Sequence, residues 1–305
     1  MNDGLSLFFK GLAMGAANVI PGVSGGTIAL ITGIYERLIN AIKSCDLRAA
    51  KLLLQGNFKE AWRHVDGTWL GILLGGVAIS IVSLARLFEY LLENHERYTM
   101  AFFFGLIVIS IAFVAKRVSS WSSSTVTSLI VGTVIAVSIA MLAPASENDH
   151  WLYVFICGVL AISSMILPGL SGSFVLILMG NYALVLGAIS SLSLSILIPL
   201  AVGCVFGLIV FSHIISWVFK RCPDQTLALM TGFVIGSLVV IWPWKEAVIE
   251  IVERVGKEPR DVITTYEWFV PQLQAPSTWI AFGLMLLGAM AIALIEKYAG
   301  GSTNS

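Results

Sequence analysis

Charge is what this 305-residue chain has least of: lysine, arginine, aspartate and glutamate together make up 12%, about half the share of an ordinary soluble domain. The 18 basic and 18 acidic residues cancel, so no basic face invites nucleic acid, and a 57% hydrophobic content excludes a disordered chain. Cysteine is scarce as well. Its four copies form no CxxC pair and join no histidine cluster at metal-ligand spacing, so neither a disulfide framework nor a metal site is expected. A P-loop of the form G-x-x-x-x-G-K-[ST] is missing, which argues against ATP as a driving force. No cofactor is expected. The start, MNDGLSLFFKGLAMG, has no basic region ahead of its apolar run and no clear cleavage site, and reads as mature sequence.

What the chain has instead is length of apolar sequence, with a mean hydropathy of +0.90. A helix needs about 20 apolar residues to cross roughly 30 Å of hydrocarbon. Six stretches meet or approach that: 69–92, 99–115, 125–143, 195–219, 226–242 and 278–295. Two more apolar regions, 5–42 and 151–189, are broken near the middle at Pro21-Gly22-Val23-Ser24-Gly25-Gly26 and Pro168-Gly169-Leu170-Ser171-Gly172-Ser173. Proline and clustered glycine end a helix. Inside a bilayer the backbone groups so freed need protein, water or ligand as partners, because lipid offers none. Each arm before the break is slightly short for a full span. Two re-entrant helical hairpins are therefore expected, with two tilted full spans as the alternative. The fold class is an all-α polytopic membrane protein.

Basic residues set the orientation. Arg37, Lys43, Arg48, Lys51, Lys59 and Arg63 place the segment after the first hairpin in the cytoplasm, and Lys116, Arg117, Lys220 and Arg221 fall on the same side. Glu147, Asp149 and the acid-rich stretch 243–277 fall outside, which leaves both termini cytoplasmic. At an offset of 147, Gly11, Pro21, Gly22, Ser24, Gly25, Gly33 and Tyr35 meet Gly158, Pro168, Gly169, Ser171, Gly172, Gly180 and Tyr182. Farther on the offset is about 127, where Ala101–Gly105 faces Ala228–Gly232. Two repeats are expected, 1–145 and 146–305, each one hairpin and three spans. An odd number of crossings makes them inverted, the plan of secondary transporters with a midplane site.

Two hairpins entering from opposite faces would bring their PGxSG tips together. Each tip opens a helix, whose first N–H groups attract an anion. Gly22, Val23, Gly25, Gly26, Gly169, Leu170 and Gly172 would offer backbone at close range, and Ser24, Thr27, Ser171 and Ser173 would add hydroxyls. The plainer reading is a tight turn with serine N-caps, which can coexist with ligand binding. Arg86, inside a span, could balance a phosphate or pair with Glu89. His213, its counterpart at offset 127, is either a packing residue or a proton carrier. Glu36 and Arg37 are a coupling pair or a solvated helix end, and Lys10 is expected to snorkel to the interface. Gly22-Val23-Ser24-Gly25-Gly26 also fits G-x-S-x-G, the hydrolase elbow, but no strand–turn–helix setting accompanies it. An intramembrane serine hydrolase, with His213 as base, is the weaker alternative. Glycines in 71–75 and 283–288 permit close helix contacts within one subunit or in a homodimer.

The paired stretches MGAANVIPGVSGGTIALITGIYERLI and ILPGLSGSFVLILMGNYALVLGAI resemble those of the bacterial polyprenyl-phosphate transporter family, PopT. The resemblance covers essentially the whole chain. It implies a flippase of the bacterial cytoplasmic membrane that returns undecaprenyl phosphate, the carrier lipid of cell-wall synthesis, from the outer to the inner leaflet. The expected partners are then polyprenyl phosphate and membrane lipid, with a proton or the membrane potential as driving force. A transporter of small water-soluble anions is the competing reading. The expected design is a polar slot for the headgroup, with the prenyl tail left in the surrounding lipid.

Overall fold

A computed structural model describes residues 3–19, 24–142, 144–254 and 257–300. Helix α1 (Asp3–Val19) is followed by α2 (Gly25–Ile31) and α3 (Tyr35–Lys43). Two short helices, α4 (Leu47–Leu54) and α5 (Phe58–His64), precede the long α6 (Gly67–Ala115) and then α7 (Ser123–Ala140). The second half opens with α8 (Trp151–Ile166), α9 (Gly172–Leu178) and α10 (Tyr182–Ser191). It continues with α11 (Leu194–Arg221), α12 (Pro223–Ser237), the strands β1 (Lys245–Arg254) and β2 (Lys257–Trp268), and α13 (Pro276–Gly300).

Helix α6 is two spans folded at His95, where the backbone leaves helical geometry (φ −141°, ψ 36°). The Thr99 hydroxyl donates to the His95 carbonyl at 3.0 Å and also reaches the Leu91 carbonyl at 3.3 Å. Thr99 and Leu91 would lie about 12 Å apart along a straight helix, so the chain folds back sharply. The pieces before and after the fold are α6a (67–94) and α6b (95–115). The same turn joins α11 to α12: Cys222 has φ −140° and ψ 68°, and the Thr226 hydroxyl donates to its carbonyl at 2.6 Å.

Five helical stretches among the described residues are long and apolar enough to cross a membrane: Gly67–Leu84, Asn94–Ala115, Ser123–Ala140, Leu194–Arg221 and Pro276–Ala293. They fall on five of the six expected spans. The sixth, 226–242, is shorter than expected, because α12 has 15 residues and then tightens. Leu238, Val239 and Val240 each donate to the carbonyl three residues back, and Pro243 three residues on cannot continue the ladder. The expected loop 243–277 holds an antiparallel ribbon of β1 and β2 with a register shift at Val248/Ile249. Its β-branched runs, AVIEIV and DVITTY, suit a strand better than a helix.

Both broken regions fold back on themselves. In the first, the Gly25 N–H donates to Asn18 Oδ1 at 2.7 Å and Lys10 Nζ donates to the Thr32 carbonyl at 3.0 Å. Helix α2 therefore runs back along α1, and Lys10 is spent on its end rather than snorkelling. In the second, Gly172 packs on the Ala161 carbonyl, and the Tyr153 hydroxyl donates to the Met179 carbonyl at 2.9 Å. The strap is tied where it began. Ala145 N–H donates to the Leu178 carbonyl at 2.7 Å, while the buried Asn181 amide accepts from Asn148 N–H and donates to its carbonyl. Gly33 (φ 73°) and Gly180 (φ 70°) end α2 and α9 in one motif. Ile34 N–H reaches the Ala29 carbonyl and Asn181 N–H the Leu176 carbonyl, both at 3.0 Å, a closure that needs a left-handed residue where only glycine is unstrained. A bend of 115° then separates α9 from α10.

Helix packing repeats with the same offsets. A methyl group added at Gly11 would strike the Leu73 carbonyl and one at Gly76 the Phe8 carbonyl; at Gly158 and Gly203 it would strike Leu200 and Phe155. Leu73 and Gly76 lie 127 positions before Leu200 and Gly203, and Phe8 lies 147 before Phe155. Across the chain, Gly105 packs on Met285 and Gly288 on Phe102, while Gly232 packs on Leu129 and Gly132 on Leu229. The third span of each half therefore lies against the second span of the other.

Candidate functional site: the meeting of two elbows

The elbow that opens α2 and the elbow between α8 and α9 touch. Ser24 Oγ donates to the Met165 carbonyl at 3.2 Å, Tyr35 Oη donates to the Ile166 carbonyl at 2.9 Å, and Gly169 N–H donates to Thr27 Oγ1 at 2.9 Å. Met165 and Ile166 end α8, where carbonyls lack helical partners. The first elbow supplies them from 141 and 131 residues away. Gly26 sits against the same two carbonyls, so a side-chain carbon there would crowd both. Ser24, Thr27 and Ser171 are only 2%, 1% and 8% exposed, so the elbows are closed on each other.

The two elbows differ in detail. Ser24 caps α2, accepting from Gly26 N–H at 3.1 Å. Ser171 makes no such bond to α9 and instead pairs with the Ser173 hydroxyl at 2.8 Å. Leu170 is buried beside it, and Gly169 takes a positive φ of 85° against the backbone of Phe233 and Val234. Each short helix spans seven residues, so local hydroxyls and N–H groups, rather than a long dipole, are what this place can offer an anion.

Of the expected site residues, Ser24, Gly25, Gly26, Thr27, Gly169, Leu170, Ser171, Gly172 and Ser173 lie at the two elbows. Gly22 and Val23 lie outside the described residues, as do the side chains of Arg86 and Glu89, whose backbone is in α6a. His213 is exposed on α11, its ring Nδ1 2.8 Å from the Ile209 carbonyl of its own helix. It is not a partner of Ser24 or Ser171 in any described bond. Arg37 is engaged at the exposed start of α3, 2.8 Å from Asp66 and stacked over Trp69. Glu36 is exposed at the mouth of a small cleft with Asn40, Ser216 and Lys220.

Sequence reasoning missed the residues that fasten the elbows. Tyr35 and Tyr182 were paired by the offset, yet only Tyr35 is buried (2% exposed against 37%) and bonded across the elbow contact. Arg117, read only as an orientation marker, donates to the Ile31 carbonyl at 2.7 Å and so joins Lys10 at the end of α2. The matching carbonyls of Leu178 and Met179 are satisfied by an amide and a phenol instead. Cations thus close the end of α2, and neutral donors close the end of α9.

The family described as VCA0040-like, undecaprenyl phosphate translocase-like, matches residues 14–258. A polyprenyl-phosphate transporter of Vibrio cholerae is 42% identical over 299 residues, covering 97% of both chains. A second, from Staphylococcus aureus, is 34% identical over 253 residues, which is 77% of this chain and 84% of that one. No solved structure matches. A family match over residues 14–258, with relatives 42% and 34% identical, means that this protein belongs to the undecaprenyl phosphate translocase-like family.

Proposed function

We propose that this protein carries polyprenyl phosphate from the outer to the inner leaflet of the bacterial cytoplasmic membrane, and that the two elbows hold the phosphate on the way. It is a transporter and not an enzyme. The observation that carries the site is the set of three hydrogen bonds between elbows that the sequence keeps far apart. A phosphate monoester bears about −1.5 to −2 charge and cannot enter hydrocarbon without donors that replace its water. Ser24, Thr27, Ser171, Ser173 and the N–H groups of Gly25, Gly26, Gly169 and Gly172 are such donors, clustered at one place. Ser24 is now engaged by the Met165 carbonyl, Gly25 N–H by Asn18, Gly169 N–H by Thr27 and Ser171 by Ser173, so loading begins with the elbows parting and the headgroup taking over such bonds. Arg86 supplies counter-charge, and the prenyl tail stays in apolar surroundings.

The halves 1–145 and 146–305 act as inverted repeats in this reading. Support comes from contacts that recur at fixed offsets and from turns at His95 and Cys222 built alike. The termini and the basic loops face the cytoplasm. Rocking of one half against the other would expose the elbows to each leaflet in turn. An inside-negative potential opposes inward movement of an anion by about 2.3 kcal/mol per charge per 100 mV, so accompanying protons are the natural drive. Of the coupling candidates Glu36, Arg37 and His213, we assign this role to Glu36, the carboxylate among them.

The test is transport of labelled polyprenyl phosphate in proteoliposomes. Ser24→Ala, Ser171→Ala and Arg86→Ala should each slow it by about tenfold, the loss of one charge-assisted hydrogen bond. Full rates in all three would refute the elbow site. Uptake of a small soluble anion with no lipid movement would favour the competing transporter, and a hydrolysed product lost in Ser24→Ala would favour the hydrolase.

A further inference from the structure

A cavity of about 450 Å³ opens at the fold in α6, lined by Leu91, His95, Tyr98, Thr99, Phe102 and, from α13, Leu284. We infer that it receives part of the isoprenoid tail of the transported lipid, so that the carrier is gripped by its chain as well as by its headgroup. The inference rests on the proposed function and amends the expectation that the tail stays in bulk lipid.

Three observations carry it. The wall is mostly apolar, built from Leu91, Phe102, Leu284 and the ring carbons of Tyr98, and the Thr99 hydroxyl on it is committed to the carbonyls of His95 and Leu91. A mostly apolar recess of this size offers water few partners and is better filled by an apolar occupant. The cavity also lies at the far end of α6a from the basic segment 43–63, on the face from which the proposed carrier would load. Finally, the twin turn does not repeat it. The positions matching His95, Tyr98 and Phe102 at offset 127 are Cys222, Gln225 and Leu229. There Gln225 bonds the Ser124 hydroxyl at 3.3 Å, so a polar pair stands where the first turn has aromatic rings. A duplicated turn that is aromatic and hollow on one face and polar on the other fits a ligand met on one face only. Isoprene units, with a branching methyl and a double bond each, fill an aromatic cavity by contact that straight acyl chains match less well.

The full-length protein in nanodiscs should be titrated with undecaprenyl phosphate, with geranyl phosphate as the short-tailed probe, and with phosphatidylglycerol. Leu284→Phe and, from the opposite wall, Leu91→Phe reduce the space; each is checked for monodispersity and melting, and either one suffices. The expected result is about a tenfold loss of undecaprenyl phosphate affinity, with geranyl phosphate changed by less than about twofold. Equal affinities for both prenyl probes in wild type and variants would overturn the tail site while leaving the headgroup site standing. So would an equal loss for phosphatidylglycerol, which would assign the cavity to bulk lipid, or a change in oligomeric mass, which would assign it to a second copy. Failure of the wild type to bind either prenyl phosphate would refute the proposed function itself.

Discussion

Thr27 accepts the only described hydrogen bond of Gly169 N–H, at a place where both residues are buried. Thr27→Val keeps the shape and strands that donor, so it should cost about 1–3 kcal/mol, whereas Thr27→Ser should cost much less. Thermal unfolding in detergent separates the two. Tyr35→Phe should destabilise in the same assay by removing the donor to the Ile166 carbonyl; the exposed Tyr182→Phe should not. At the turn that opens α12, Asp224 accepts from the N–H groups of Ser119 and Ser120, and these bonds hold its carboxyl below the usual carboxylate range. A folded-state value lowered in this way contributes stability that is complete above the unfolded value and fades as pH falls through the lowered one. The melting difference between wild type and Asp224→Asn should thus be flat from about pH 8 to about pH 5 and shrink only in more acid solution.

At the scale of elements, glycines decide how near the helices come. Gly105 and Gly232 face backbone carbonyls of α13 and α7, so Gly105→Ala and Gly232→Ala should each push a helix pair apart. Overpacking of that kind costs about 1–3 kcal/mol. Gly283 has open space where a methyl would sit, and Gly283→Ala should be neutral or slightly stabilising in the same melting assay. These contacts were not foreseen as pairs: the glycine-rich stretches were visible, but which glycine meets which carbonyl depends on the helix crossing. The spans themselves were legible because hydropathy over about 20 residues is a local property. The β ribbon was not, because its β-branched runs become strands only by pairing with each other, and that pairing is not a local property.

For the molecule as a whole, the way the second hairpin closes on itself makes a topological prediction. In a cysteine-free background, single cysteines at Ser146 and Leu192 should react with an impermeant label from one face, and those at Ser44 and Trp121 from the other. Labelling of positions 146 and 192 from opposite faces would mean that 151–189 is a full span. The positions of the spans and basic loops and the twin PGxSG motifs were fixed by the amino-acid order alone, since apolar length, charge and internal likeness are written along the chain. What lies between the elbows was decided in three dimensions. The donors that bind Met165 and Ile166 come from more than 130 residues away, and Lys10, Arg117 and Asn181 acquire their partners only when the hairpins close. A buried polar group selects its partner by proximity in the fold, and neither periodicity nor composition records that distance.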